Sequence, residues 1–172
     1  MGSVIPLKKS ANSAYLDLKN LLDNKLKSVE KLIRLKLESN IGLIKKMSDY
    51  HLGSGGKRIR ALLTMGAAKL GGYVEGSRDV NLAACVELIH STTLLHDDVV
   101  DQSEIRRGIK TTNSMWGNQS SILVGDYLFS RCFEMMVEDG NLEILQLLSS
   151  ASSKIVLGEV MQLEHKGEAD LL

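Results

Sequence analysis

The chain has 172 residues, 44% of them hydrophobic, 24% charged and only 4% aromatic, with one proline, Pro6. That length suits a single domain burying roughly two-thirds of its unfolded surface, and the shortage of proline and aromatics beside abundant Leu, Lys and Glu excludes a β-sandwich, a barrel and a disordered chain. Net charge is zero, yet residues 1–70 carry 14 Lys/Arg against 5 Asp/Glu and residues 71–172 carry 7 against 16, so the two parts stand at +9 and −9; a nucleic-acid footprint over the whole surface is excluded, and each part can supply one pole of a charged site.

In chain order, Tyr15, Leu18, Leu22, Leu26, Val29 and Ile33 recur at three- and four-residue intervals, with Lys19, Lys25, Lys27 and Lys31 on the remaining surface. This is one stripe of an amphipathic helix. A second helix carries Ile41, Ile44 and Met47 and meets the break Gly53-Ser54-Gly55-Gly56. A third is predicted to start at Lys57 and to end at Gly71-Gly72, where glycine suits a helix end. A long helix over 79–101 follows, with Asp79 as its N-cap, then a polar loop over 102–110. Two more helices are predicted near 118–137 and 142–165, separated by Asp139-Gly140-Asn141. No stretch alternates with period two, so the expectation is an all-α chain of about six helices forming one domain, 1–172.

Cys85 and Cys132 stand isolated among apolar neighbours, which reads as buried free thiols in a reducing cytoplasm. No apolar run of about 18 residues is read, so no transmembrane helix is expected. Residues 1–10 lack the apolar core of a secretory signal, and Pro6 breaks the myristoylation pattern that Gly2 opens.

Gly55-Gly56-Lys57-Arg58-Ile59-Arg60 would place three cations in the first turn of the third helix. Helix N-termini present free N–H groups and about half a positive charge, which suits phosphate. Lys57 and Arg60 are three apart and share a face, while Arg58 points elsewhere. The segment is not a Walker-type loop, since His51 and Arg58 stand where Gly and Ser/Thr belong. A phosphate cradle is favoured over a solvated basic turn, because cations at a helix start oppose the dipole.

Leu94-Leu95-His96-Asp97-Asp98-Val99-Val100-Asp101 puts Asp97 and Asp101 one turn apart, about 40° from one another on a single face, with Asp98 bordering it. Clustered carboxylates repel, and a hard divalent cation removes that cost; Mg²⁺ takes carboxylate oxygens and shares the rest of its shell with water and substrate phosphates. The alternative is a solvated helix end, although the flanking Leu94, Leu95, Val99 and Val100 argue for burial. Arg106-Arg107-Gly108 is an ordinary surface pair or a grip on two phosphates. His90 precedes Asp97 by seven residues and shares its face; alone it reads as a structural histidine, two turns from a diphosphate site as a ligand.

These segments resemble the trans-type polyprenyl diphosphate synthases, and within them the bacterial octaprenyl enzymes. The matches are Gly55-Gly56-Lys57-Arg58-Ile59-Arg60, Asp97-Asp98-Val99-Val100-Asp101 and Arg106-Arg107-Gly108, followed by Leu123-Val124-Gly125-Asp126-Tyr127-Leu128 and Gly158-Glu159-Val160-Met161-Gln162-Leu163, in order from about Leu16 onward. The resemblance implies the N-terminal portion of an isoprenoid synthase helical bundle. It also implies a Mg²⁺-dependent prenyltransferase of isoprenoid biosynthesis that condenses isopentenyl diphosphate with an allylic prenyl diphosphate. By position, Lys57, Arg60, His90 and Arg107 would bind isopentenyl diphosphate, Arg106 would touch the allylic diphosphate, and Asp97 and Asp101 would hold the metal, with Asp98 completing the catalytic motif. Thr93, one turn before Asp97, and Thr92 beside it would floor the path of the growing tail; being small, they imply a long-chain product, the alternative being that they merely relieve helix packing.

Two positions depart from the family pattern, Ala61 and Lys110, each standing where proline is usual. The family is longer and carries a second aspartate-rich motif, which these residues lack. The expectation is therefore an incomplete domain, inactive alone, which forms a homodimer or a complex with a complementary C-terminal half. The 118–137 helix is either a dimer face or plain bundle core. A second reading is a non-catalytic partner subunit of a full-length synthase. A remote third is a metal-dependent phosphohydrolase using His51, His96, Asp97 and Asp126, which leaves the four cations unexplained.

Overall fold

The computed structural model describes residues 11–169, so the readings made on residues 1–10, Pro6 among them, lie outside the described residues. Helix α1 (Ala11–Lys36) buries the predicted stripe at Leu22, Leu26, Val29 and Ile33, with Tyr15 and Leu18 half-covered. Helix α2 (Gly42–Gly53) buries Met47 and Leu52, while Ile41 sits at its N-cap and is exposed instead of reaching the core. Helix α3 (Ile59–Leu70) starts two residues later than predicted, because Arg58 adopts a left-handed conformation, φ 48°, as its N-cap. The predicted glycine stop holds, with Gly71 as C-cap and Gly72 at φ 84°.

Helix α4 (Arg78–Val100) is the centre of the molecule, packed against α1, α3 and above all α6 (Asn118–Asp139). Asp79 lies inside its first turn, not at the N-cap, and is buried in an ion pair with Lys25. Leu88 and Leu95 of α4 meet Leu128 and Met136 of α6 in a core that also takes Val29, Leu62 and Met65. Each such side chain contributes roughly 1.5–3 kcal/mol on burial. Small residues let the two helices close up. An added Cβ on Gly125 of α6 would sit 2.4 Å from His96 Nε2 of α4. Cys85 and Cys132 are free and buried at this contact, and the Cys132 thiol is pushed up by its neighbour Cys85 and by burial.

The expected polar loop after α4 contains a hairpin, β1 (Ile105–Arg106) against β2 (Ile109–Lys110), pairing Ile105 with Lys110 and Arg106 with Ile109. Arg107 and Gly108 form its tip, both with positive φ (53° and 80°), the signature of the two-residue turn that matches strand twist. A short helix, α5 (Thr112–Trp116), follows, its start capped by the Thr111 hydroxyl, which accepts from Ser114 N at 3.4 Å.

Helix α6 (Asn118–Asp139) supplies bundle core along part of the predicted 118–137 segment. One face is core, at Val124, Leu128, Cys132, Met135 and Met136, while Leu123, Phe133 and Val137 are exposed on the other. Helix α7 (Leu142–Ala169) rests on the bundle through Leu145 and Leu148 and leaves Leu147, Val156, Leu157, Val160 and Met161 outward. It also amends the expectation of no membrane-length apolar segment. Leu142–His165 is long and apolar enough by length and composition, with a mean hydropathy of 1.2 over its best 18 residues. Serines at 149, 150, 152 and 153 interrupt the apolar run, so no unbroken stretch marks it in the sequence.

Candidate functional site

The left-handed Arg58 decides how the basic segment is displayed. With Arg58 turned inward, Lys57 and Arg60 stay exposed on the wall of a cleft of about 490 Å³, completed by Gly55, Gly56, His51, Glu87, His90 and Arg107. Arg107 reaches this cleft from the hairpin tip and donates to the Gly55 carbonyl. The cations do not occupy the first helical turn together as the sequence suggested: only Arg60 lies within α3, and Lys57 and Arg58 precede it. One N–H of that turn is also taken, since Glu87 Oε1 accepts from Ala61 N at 3.0 Å.

His90 and His51 both face this collection of arginines. Burial first, then the charges of Arg60, Arg107, Arg106 and Arg58, lowers His90 to about 4. His51 is likewise lowered to about 4 by burial, followed by Arg106, Arg58, His90 and Arg107. Both imidazoles are neutral at pH 7, so they serve as hydrogen-bonding groups and the guanidinium and ammonium groups supply the positive field.

Arg60 and His90 also line a second cleft, of about 350 Å³, between α4 and α7. Val86, Thr93 and Asp97 descend along its α4 wall, and Leu148, Ser152, Ile155 and Glu159 form the α7 wall. The Asp97 carboxyl is raised above the usual carboxylate range by burial and by Glu159 across the cleft, with smaller contributions from Asp101 and Asp98 and an opposing one from Arg106. Asp101 lies one turn on, its N–H donating to the Asp97 carbonyl at 2.8 Å. No group of three or more His, Cys, Asp or Glu side chains converges as a metal-ligand set among the described residues. The accumulated negative charge at Asp97 and Asp101 nevertheless fits a hard cation that takes its remaining oxygens from phosphate and water.

Two sequence assignments change. Asp98 does not join the Asp97–Asp101 face: a further 100° of helix rotation turns it into the bundle, 2% exposed, where one carboxylate oxygen accepts from Arg106 Nε (2.8 Å) and lies 2.7 Å from Nη2. Asn113 Nδ2 braces the same point by donating to the Asp98 and Ser103 carbonyls, both at 3.1 Å. Asp98 thus anchors Arg106. Thr92 is turned away from the cleft as well; it is buried against α6, its hydroxyl donating to the Gly125 carbonyl at 3.4 Å. Thr93 alone of the pair lines the α7 cleft.

The four phosphohydrolase candidates do not converge on one site: only His96 and Asp126 come together. His96 Nε2 lies against α6, 3.3 Å from the Ile122 carbonyl and 3.4 Å from Asp126, while His51 belongs to the basic cleft. Sequence reasoning in turn missed Glu87 and Glu159 as members of the clefts. A glutamate inside the apolar run Ala83-Ala84-Cys85-Val86-Glu87-Leu88-Ile89, three residues before His90, was a usable signal for the first.

A cationic cleft beside an aspartate-bearing one, on a bundle of this topology, can be compared with known proteins. The polyprenyl synthetase family matches residues 41–172. The chain belongs to that family. Its members are prenyltransferases of isoprenoid biosynthesis, and the all-α bundle is the isoprenoid synthase fold. The chain is 45% identical over 135 residues to octaprenyl diphosphate synthase of Escherichia coli (strain K12), covering 78% of this chain and 42% of that protein. It is 35% identical over 151 residues to heptaprenyl diphosphate synthase component 2 of Geobacillus stearothermophilus, covering 88% and 47%. Among solved structures it resembles a polyprenyl synthase of Caulobacter crescentus CB15 complexed with calcium and isoprenyl diphosphate, at TM-score 0.85 and 41% identity over 92% of this chain and 47% of that one. The chain spans somewhat under half the length of these family relatives.

Proposed function

We propose that this chain carries the substrate-binding clefts of a Mg²⁺-dependent trans-prenyltransferase that adds isopentenyl diphosphate to an allylic prenyl diphosphate, giving a long-chain, octaprenyl-type product. The observation that carries this reading is the pair of clefts sharing Arg60 and His90: one walled by cations, the other opening beneath Asp97 between apolar walls. Lys57, Arg60 and Arg107 bind the diphosphate of the isopentenyl substrate, and neutral His90 hydrogen-bonds it. Arg106, held by Asp98, faces the allylic diphosphate. Asp97 and Asp101 would hold Mg²⁺, which when bound neutralises charge on a departing diphosphate. The allylic C1–O bond breaks with its electron pair leaving on the diphosphate, the double bond of the second substrate attacks C1, and the proton shed by the resulting cation passes to the departed diphosphate. Val86, Ile89, Leu148 and Ile155 exclude water from the cationic carbon. Thr93 leaves room below Asp97 for a lengthening tail.

Within this reading the outward apolar faces of α6 and α7 are covered by a second chain, as a homodimer or as a complementary C-terminal half. The residues alone then turn over poorly, because α4 grips a diphosphate from one side. The likeness to a protein named as one component of a heptaprenyl synthase favours a second reading, a partner subunit of a full-length enzyme. The free buried thiols suit a cytoplasmic setting.

The test is equilibrium binding of farnesyl diphosphate with and without Mg²⁺, alongside turnover of labelled isopentenyl diphosphate. Metal-enhanced binding lost in Asp97→Asn, with turnover that needs an added family partner, is expected. Binding indifferent to both metal and Asp97 overturns the proposal, and binding without turnover in any assembly supports the partner-subunit reading.

A further inference from the structure

Among the described residues, Glu87 is the one acidic side chain in the lining of the basic cleft. It is only 4% exposed, and the proposed reaction gives it no part. Its two oxygens do different things. Oε1 accepts from Ala61 N in the first turn of α3, at 3.0 Å, and Oε2 lies 3.8 Å from Arg58 Nη1. Arg58 occupies a left-handed conformation without glycine's freedom, directly between Lys57 and the first residue of α3. Its side chain is folded inward, 15% exposed, where Nη2 donates to the Leu52 carbonyl at 3.3 Å and Nε lies 3.7 Å from Glu30 Oε1. Nε itself makes no hydrogen bond although it is buried. The guanidinium is therefore loosely tied by hydrogen bonds, and the buried Glu87 carboxylate is its least solvated counter-charge.

We propose that Glu87 is a positioning residue of the diphosphate cleft: acting through Arg58, it holds the left-handed bend that presents Lys57 and Arg60 to the ligand. This rests on the reading of that cleft as a diphosphate site. Glu87 does not touch the ligand. Its charge, taken alone, disfavours an anion in the cleft, so a positioning role and a simple field effect predict opposite results when the charge is removed.

Glu87→Gln keeps an oxygen for Ala61 N and removes only the charge that faces Arg58. Two readouts on the whole chain decide the matter. The first is residue-resolved modification by phenylglyoxal, read by mass spectrometry; Arg58 in Glu87→Gln is expected to react about tenfold faster than in the parent, with Arg78 at the far end of α4 as the unchanged control. The second is calorimetric titration with inorganic diphosphate. Binding is expected to weaken about tenfold, the lower end of the effect of groups that orient a ligand's holders. Glu87→Asp is expected to recover part of the affinity, and the double variant Glu87→Gln/Arg58→Met should bind as Arg58→Met alone does. Unchanged Arg58 reactivity, tighter binding, or strictly additive losses in the double variant each overturn the proposal, as does a lower melting temperature with unaltered affinity. A parent protein that binds no diphosphate overturns instead the functional reading, and the modification result still decides whether Glu87 holds Arg58.

Discussion

The Asp98–Arg106 pair is asymmetric, and the asymmetry has a measurable consequence. Asp98 is 2% exposed, whereas the Arg106 side chain is 36% exposed. Arg106→Met leaves a carboxylate in the bundle with no cation, and stranding a buried charge in this way costs about 3–5 kcal/mol. Asp98→Asn leaves a guanidinium that can turn toward water, and its cost is closer to the roughly 1–3 kcal/mol of a lost charge-assisted hydrogen bond. For a chain of this size each kcal/mol moves the melting temperature by about 2–4 °C. Arg106→Met should therefore melt roughly 6–20 °C below the parent, and Asp98→Asn by visibly less. The double variant Asp98→Asn/Arg106→Met should regain much of the loss, because neither charge is then stranded. Chemical denaturation of the four proteins supplies the cycle. A loss under about 1 kcal/mol for Arg106→Met, or a larger loss for Asp98→Asn than for Arg106→Met, refutes the buried-anchor argument.

Three further outcomes follow from particular contacts. Gly125→Ala puts a methyl against the His96 ring and should cost about 1–3 kcal/mol in a melt, with His96→Ala restoring most of it; an unchanged melt would mean that His96 swings clear at no cost. Unfolded histidine takes up a proton near pH 6.5, while native His51 resists until about 4, so stability is intact above 6.5 and falls through that window by up to about 1.4 kcal/mol per pH unit. His51→Gln should reduce the slope measured by denaturation at a series of pH values, leaving the share that His90 contributes over the same window, and an identical slope would show that His51 charges freely in the fold. Thr93→Phe fills the cleft under Asp97, so farnesyl diphosphate should lose affinity more than dimethylallyl diphosphate does; equal losses would place the tail elsewhere.

Much of the architecture was legible because long amphipathic helices advertise themselves. The stripe from Tyr15 to Ile33, the glycine stop at Gly71-Gly72 and the break at Gly140 all lie where periodicity and turn chemistry put them. The hairpin was hidden because two-residue strands have no alternation to read, and α5 because five residues make little more than one turn. The site was legible as a set of charges and less so as a set of directions. Asp97 and Asp98 are neighbours in sequence, yet only Asp97 lines the α7 cleft, since each residue turns the helix by 100°. Thr92 and Thr93 separate for the same reason. Arg58 could not be placed from the sequence at all: its side chain folds inward onto Glu87, Glu30 and Leu52, which come from three other helices.

Calorimetric titration of the chain with isopentenyl diphosphate, in low and high salt, addresses the basic cleft most directly. Saturable binding is predicted, weakened by salt and at least tenfold weaker in Arg60→Gln, a side chain that lines both clefts. Absence of saturable binding, or binding that Arg60→Gln leaves undiminished, would contradict the assignment of this cleft to a diphosphate.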